Sequence, residues 1–274
     1  MPNILMPIKT HIVIPARFKS TRLPGKPLLT IHGKPMILWV AEKAQAAHFA
    51  DDMCIATDDA CIAKVCMDAG YDVVMTRADH MSGTDRLAEV AAIKGWADDD
   101  IVINMQGDEP LVPPLLLEQV KMLLVQDSAS VMATLYEPID DYHTFMRPSV
   151  VKVVSAMVAD TQRALYFSRA PIPCDRDVAL AIESDMQPSS VLPAPKNAYR
   201  HLGLYAYRVS LLQQFVHWAQ TPLEILESLE QLRILENGGN IAIAAAALQL
   251  PAGVDTQEDL ERLNAMSLTD FQSF

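Results

Sequence analysis

The chain has 274 residues and a mass of 30.2 kDa, with 50% hydrophobic and 20% charged residues, enough for a soluble globular domain with a substantial core. Its 22 Lys plus Arg face 34 Asp plus Glu, and the resulting net charge of −12 excludes a general nucleic-acid binder, which needs a basic face. A small anionic ligand stays compatible with that balance, because a local basic cluster can reverse the field inside one cleft.

From the N-terminus, Pro7 and Lys9 interrupt the apolar stretch, so no signal-peptide core is expected. His11–Pro15 reads as a buried strand and Pro35–Ala47 as a helix. Asp52–Thr57 is a strand, and Asp59–Ala69 a helix opened by acidic residues that suit its dipole. Tyr71–Thr76 is a strand, Thr84–Gly95 a helix, Ile101–Met105 a strand and Pro113–Gln126 a helix with proline in its first turn. This alternation predicts parallel βαβ units in a doubly wound α/β sheet, which places ligands at the carboxyl ends of the strands.

After Ser130–Tyr136 the pattern changes. Val150–Val154, Ala164–Ser168 and Gly203–Arg208 read as strands without crossover helices, and Pro171 to Pro195 as a loop with five prolines. An antiparallel excursion at about 137–208, covering a substrate or pairing two subunits, is therefore expected within one domain of residues 1–274. Thr221-Pro222-Leu223-Glu224 starts a helix by cap, proline and capping-box Glu, which Leu226, Leu229, Leu232 and Leu235 continue to Gly238-Gly239. Ile241–Ala247 is a strand and Thr256 caps the last helix. The longest apolar run, near Ile241 to Leu248, is far short of the ~20 residues of a membrane span, so no membrane partner is expected. Cys54, Cys61, Cys66 and Cys174 form no C-x-x-C pair, so buried reduced thiols and a cytoplasmic location are expected.

The chemistry concentrates in three stretches. The loop after the first strand packs Arg17, Lys19, Arg22 and Lys26 together with Ser20, Thr21 and Gly25. Arg forks, a Lys point charge and a glycine that admits backbone amides suit a triphosphate, although neither G-x-x-x-x-G-K-[ST] nor G-x-G-x-x-G is present. Gln106-Gly107-Asp108-Glu109-Pro110 follows the strand Ile101–Met105, where a carboxylate is well placed for Mg²⁺. Gly253-Val254-Asp255-Thr256 offers a second carboxylate, and Mg²⁺ commonly takes one or two besides phosphates and water. Weaker signals for an acidic sugar are Arg169, Arg176, the face of His201, Gly203, Tyr205 and Tyr207, and the helical spacing of Glu227, Glu230 and Gln231.

In order, IPARFKSTRLPGKPL, TRADHMSGTDRLAEV, NMQGDEPLV, VKVV, ALYFSRAPIP, RHLGLYAYR, PLEILESLEQLR and GVDTQEDLERL resemble the CMP-Kdo synthetase family, the 3-deoxy-manno-octulosonate cytidylyltransferases, from residue 12 to about 263. The first loop is shared with other sugar nucleotidyltransferases, whereas RHLGLYAYR, LEQLR and GVDT are specific to Kdo activation. The resemblance implies a Rossmann-like nucleotidyltransferase fold, a mostly parallel mixed sheet flanked by helices, with an excursion that forms a homodimer. It implies transfer of CMP from CTP to Kdo for lipopolysaccharide synthesis. Ala16, Arg17, Ser20, Thr21, Arg22 and Lys26 would hold CTP, and Gln106 would sit between the substrates. Asp108 and Asp255 would bind Mg²⁺, while Arg169, Arg176, His201, Tyr205, Glu230 and Gln231 would line the Kdo site. Lys19, Gln257 and the proline-rich 182–197 segment depart from the family pattern. Rival acceptors are a sialic acid or 8-amino-Kdo, and a rival class is a non-catalytic nucleotide sensor.

Overall fold

A computed structural model describes residues 7–18, 23–80, 82–183 and 194–273. Strand β1 (Thr10–Ala16) leads through a 3-10 turn at Lys26–Leu28 to the short hairpin β2 (Thr30–Ile31) and β3 (Lys34–Pro35), then to helix α1 (Met36–Gln45). Next come β4 (Asp52–Thr57), α2 (Ala60–Asp68), β5 (Val73–Met75), α3 (Gly83–Lys94), β6 (Ile101–Asn104) and α4 (Pro114–Gln126). The helix ends obey the expected chemistry: Asp59 accepts from the Cys61 and Ile62 amides, Ser82 and Asp85 form a capping box, and Gly95 closes α3 in the left-handed region.

The second half holds β7 (Ser130–Pro138), α5 (Tyr142–Met146), the hairpin β8 (Lys152–Val158) and β9 (Thr161–Ser168), α6 (Arg176–Glu183) and β10 (Tyr199–Arg208). It ends with α7 (Val209–Phe215), α8 (Pro222–Glu227), α9 (Gln231–Glu236), β11 (Asn240–Ala245), α10 (Gln257–Ala265) and α11 (Leu268–Gln272).

Among the described residues, nine strands form one sheet in the order β5-β4-β1-β6-β10-β7-β11-β9-β8. β5, β4, β1 and β6 are parallel, as are β7 and β11, whereas β10 runs antiparallel to both β6 and β7. Helices α1, α2 and α4 cover Ile12, Ile14, Ile55 and Ile103 on one face. On the other, α3, α7 and α9 cover Val13, Val102, Met132 and Tyr207. Burial on both faces is why these strands read as apolar runs and not as alternations.

Four expectations are corrected. Gly203–Arg208 is no part of an excursion: β10 starts at Tyr199 and lies mid-sheet, with Leu202, Leu204 and Ala206 in one core layer and Tyr207 in the other. An antiparallel strand needs no crossover helix, so a search for βαβ units found the strand but not its place in the main sheet. The helix from Thr221 does not run to Gly238. Ser228 adopts a left-handed conformation (φ 52°) that ends α8, and Leu226, expected in an apolar stripe, is 80% exposed. The Pro171 to Pro195 stretch contains α6, while 184–193 lie outside the described residues. Of the cysteines, Cys54 and Cys66 are buried but Cys61 and Cys174 are exposed; all four are free thiols. Burial pushes the Cys54 thiol up to about 12 and the Cys66 thiol to about 11. Among the described residues, no helix is long and apolar enough to cross a membrane.

The far end of the sheet closes on itself. β10 pairs with β7, β7 with β11, β11 with β9, β9 with β8, and β8 returns to β10 at Arg200↔Lys152. A separate apolar cluster of Leu23, Ile31, Met36, Trp39, Val254, Leu260, Leu263 and Phe271 docks the C-terminal helices beside the turn after β1. That docking brings the loop bearing Asp255 to the C-terminal end of β1.

Candidate active site

Buried Ala16 ends β1 opposite Thr57 of β4, and half-buried Arg17 begins the loop beyond it. Ser20, Thr21 and Arg22, expected to hold a triphosphate with Lys19 nearby, lie outside the described residues. The loop closes where the Gly25 amide donates to the Phe18 carbonyl at 3.0 Å, with Gly25 at φ 68°, a conformation glycine adopts without steric cost. Lys26 follows at once. Its ammonium donates to Asp108 Oδ2 at 2.5 Å, to the Val254 carbonyl at 2.8 Å and to Asp255 Oδ1 at 3.2 Å. Two carboxylates separated by about 147 residues of sequence, the difference between 255 and 108, thus meet on one cation.

Backbone contacts hold the three loops in place. A Cβ on Gly107 would lie 2.8 Å from the Pro15 carbonyl, and one on Gly253 would lie 2.9 Å from that of Asp108. These glycines let the loops stack directly on one another, and the Val254 amide donates to the Asp108 carbonyl at 2.9 Å. Thr256 caps α10 in a capping box with Asp259, whose carboxylate also accepts from the Asp255 amide.

Beside them sits Glu109, to which sequence reasoning gave no role although it shares the QGDEP motif. Burial first, then the charges of Asp108 and Asp255, push its carboxyl up to about 8 against the opposing pull of Lys26. Its Oε2 is buried without a hydrogen-bond partner among the described residues.

Two cavities adjoin this cluster. One, of about 290 Å³, is lined by Thr84, Asn104, Gln106, Tyr205, Tyr207, Glu230 and Gln231. The other, of about 350 Å³, is lined by Glu109, Val150, Arg200, His201, Tyr205 and Gln231. Tyr205 and Gln231 border both. Thr84 donates to Glu230 Oε2 at 2.8 Å, and burial raises the Glu230 carboxyl above its ordinary value while the Thr84 and Ser82 hydroxyls oppose the shift. Asn104 Oδ1 and Gln231 Nε2 are buried without partners among the described residues. Thr84 and Asn104 were also missed, although both fall inside motifs that carry the family resemblance.

His201 lies 3.0 Å from the Thr134 hydroxyl, which has the Leu202 and Leu204 carbonyls each at 2.9 Å to take its proton. Thr134 therefore accepts from His201 Nε2–H, leaving Nδ1 as an acceptor. Burial depresses the imidazole from 6.5 to about 3, so it acts as a neutral group. Below pH 6.5 the unfolded chain takes a proton that the folded chain refuses until about pH 3, so stability falls as pH drops through that window. His201→Gln is expected to flatten this acid limb, by up to about 1.4 kcal/mol per pH unit, in unfolding free energies measured at several pH values.

The remaining expected residues diverge. Glu230 and Gln231 face the cavities, but Glu227, expected on the same helical face, lies before the break at Ser228. It accepts instead from the Ser168 hydroxyl at 2.6 Å and the Arg169 amide at 2.8 Å. Arg169 lines neither cavity; its guanidinium donates to the carbonyls of Glu227 at 2.7 Å, Pro148 at 3.1 Å and Ser228 at 3.4 Å. Arg176 is exposed on α6, paired with Asp177, and is not brought to the cluster.

A basic loop, paired carboxylates and a polar cavity on the carboxyl edge of an α/β sheet are the parts of a nucleotidyltransferase. The family model described as Cytidylyltransferase matches residues 11–243, and the chain belongs to that family. Among its relatives are proteins named 3-deoxy-manno-octulosonate cytidylyltransferase. The one from Psychrobacter cryohalolentis is 80% identical over 274 residues, all of both chains, and the one from Acinetobacter baumannii is 57% identical over 96% of this chain and 99% of its own. The solved structure of CMP:2-keto-3-deoxy-manno-octonic acid synthetase complexed with CTP matches with a TM-score of 0.80 and 40% identity, covering 97% of this chain and 100% of that one. A cytidylyltransferase from Leptospira borgpetersenii, 16% identical with a TM-score of 0.58, shares the fold.

Proposed function

We propose that this chain transfers CMP from CTP to Kdo, giving CMP-Kdo and pyrophosphate for lipopolysaccharide synthesis. The observation that carries the reading is the junction of Lys26, Asp108 and Asp255 opening beside cavities lined by Tyr205, His201, Glu230 and Gln231. The names of the full-length relatives and the CTP in the similar solved structure support it.

In this reading the anomeric hydroxyl oxygen of Kdo bonds to the α-phosphorus of CTP while the bond to the pyrophosphate oxygen breaks, and the hydroxyl's proton passes to water. Such a displacement depends on positioning and charge neutralisation. Arg17 and Lys26, with Arg22, Ser20 and Thr21 as the resemblance implies, bind the triphosphate and stabilise the departing pyrophosphate. Neutral His201 and the amide and carboxyl groups of Gln231 and Glu230 orient the hydroxyls of the acceptor. Asp108 and Asp255 are oxygen donors on adjoining loops, 33% and 51% exposed, and fit Mg²⁺, which takes one or two carboxylates beside phosphates. When bound, Mg²⁺ supplies neutralisation of phosphate charge and acidifies a coordinated hydroxyl.

The apolar side chains of Met157 and Leu165, 66% and 58% exposed on the β8–β9 hairpin, support a homodimer through that edge. A cytoplasmic setting, where CTP is made, completes the proposal. Pyrophosphate release is the test, measured with CTP and Kdo, with and without Mg²⁺, beside 8-amino-Kdo and a sialic acid. Metal-dependent release with Kdo is expected. Release with another acceptor alone would overturn the Kdo assignment, and CTP binding without release would favour a sensor.

A further inference from the structure

Lys152, at the start of β8, is completely buried, yet no carboxylate lies within ion-pair distance of it among the described residues. Its ammonium donates instead to three main-chain carbonyls: Arg147 at 2.9 Å, Val150 at 2.6 Å and Arg169 at 2.6 Å. Burying an ammonium and ordering its long stem are costly, and these hydrogen bonds offset that cost only if the carbonyls stay converged on it. They come from two segments, the turn before β8 and the first residue after β9. Lys152 is also the residue through which β8 meets Arg200 and closes the ring of strands.

Each segment leads to a cavity wall. Ser149, Val150 and Val151 line the 350 Å³ cavity directly. The guanidinium of Arg169, whose carbonyl Lys152 holds, donates to the carbonyls of Glu227 and Ser228, the residues just before Leu229, Glu230 and Gln231. One cation thus secures the Val150 wall and, through Arg169, the break between α8 and α9 that presents Glu230 and Gln231.

We propose that Lys152 is a positioning residue for the acceptor, a built-in monovalent cation around which both walls of the acceptor cavity are assembled. This rests on the cavities being the Kdo site. The Lys152→Ala variant removes the cation and leaves a slot lined by three carbonyls, a donor set that suits ammonium or potassium. Its KM for Kdo is expected to rise by about tenfold or more, the scale of a lost charge-assisted hydrogen bond. Its KM for CTP is expected to change by less than about twofold, because the triphosphate loop is built from other segments. Ammonium or potassium chloride should restore the Kdo KM, whereas lithium or tetramethylammonium chloride at equal ionic strength should not. Lys152→Met, whose side chain fills the slot, should show the same defect without recovery.

An unchanged KM for Kdo, equal losses toward both substrates, or equal recovery in all four salts would overturn the proposal. If Lys152→Ala is too unstable to assay, its melting midpoint in the same salts decides: a rise specific to ammonium and potassium supports the internal cation, and a uniform or absent rise rejects it. Should the wild-type protein not use Kdo, the functional reading fails by that assay, while the salt-specific melting of the variant still decides the role of Lys152.

Discussion

Replacing Asp108 with Asn is expected to lower kcat by about two to three orders of magnitude and to leave the protein folded. The substitution keeps the side chain's shape and removes its charge, and the backbone contact that joins the loops, Val254 N–H to the Asp108 carbonyl, does not depend on it. Asp108, Asp255 and the half-buried Glu109 are crowded carboxyl groups, with Lys26 as the cation among them. Removing one negative charge relieves repulsion with Asp255 but weakens the contact with Lys26, so the melting temperature should change little. Steady-state kinetics beside a thermal melt tests this. A variant that turns over at nearly the wild-type rate would remove Asp108 from the chemistry, and a collapsed melt would make its role structural.

Replacing Glu224 with Ala should destabilise the protein by about 3–5 kcal/mol, the usual consequence of stripping one partner from a buried ion pair. Glu224 and Arg233 are 3% and 6% exposed, and the Arg233 Nε donates to Glu224 Oε2 at 2.7 Å while a second guanidinium nitrogen contacts Oε1. The guanidinium also lies 4.1 Å from the centre of the Phe215 ring, inside the layer beneath α7. With Glu224 gone, Arg233 remains buried with the Trp218 carbonyl, at 3.4 Å, as its named acceptor. Because this pair joins α8 to α9 across the break, the KM for the acceptor should rise as well. Denaturant unfolding measures the first effect. A loss under about 1 kcal/mol would show that the surroundings relax enough to hydrate the orphaned charge.

The parallel half of the sheet was legible because its signals are local. Apolar runs with β-branched residues, Asp59 and Thr84 at helix starts and Gly95 at a helix end each report on their own few residues, and the structure follows them within a residue or two. Lys26, Asp108 and Asp255 stood out in the sequence for a related reason: each lies in a loop that follows a strand, toward the edge where α/β sheets bind ligands. That the aspartates converge on Lys26 was not legible, because the convergence depends on Phe271, Leu263 and Trp39 docking the C-terminus near β1. Glu109 and Asn104 escaped notice because their chemistry arises from burial, which spacing does not reveal. The expected helical face of Glu227, Glu230 and Gln231 failed at Ser228, whose left-handed backbone carries no strong signal in a serine.

The central place of β10 also constrains how the chain reaches this state. β6 pairs with β1 on one side, Val13 opposite Asn104, and awaits β10 on the other, where Asn104 meets Tyr205. During synthesis the parallel half can assemble while the far edge of β6, with Ile101, Val102 and Ile103 in it, still has unpaired backbone groups facing outward. Such an open apolar edge is a template for pairing with another nascent chain, and closing a loop of this length delays its protection. The two halves are therefore zipped together late, and the interval before residue 208 emerges is when this protein is most exposed to aggregation and most dependent on chaperones.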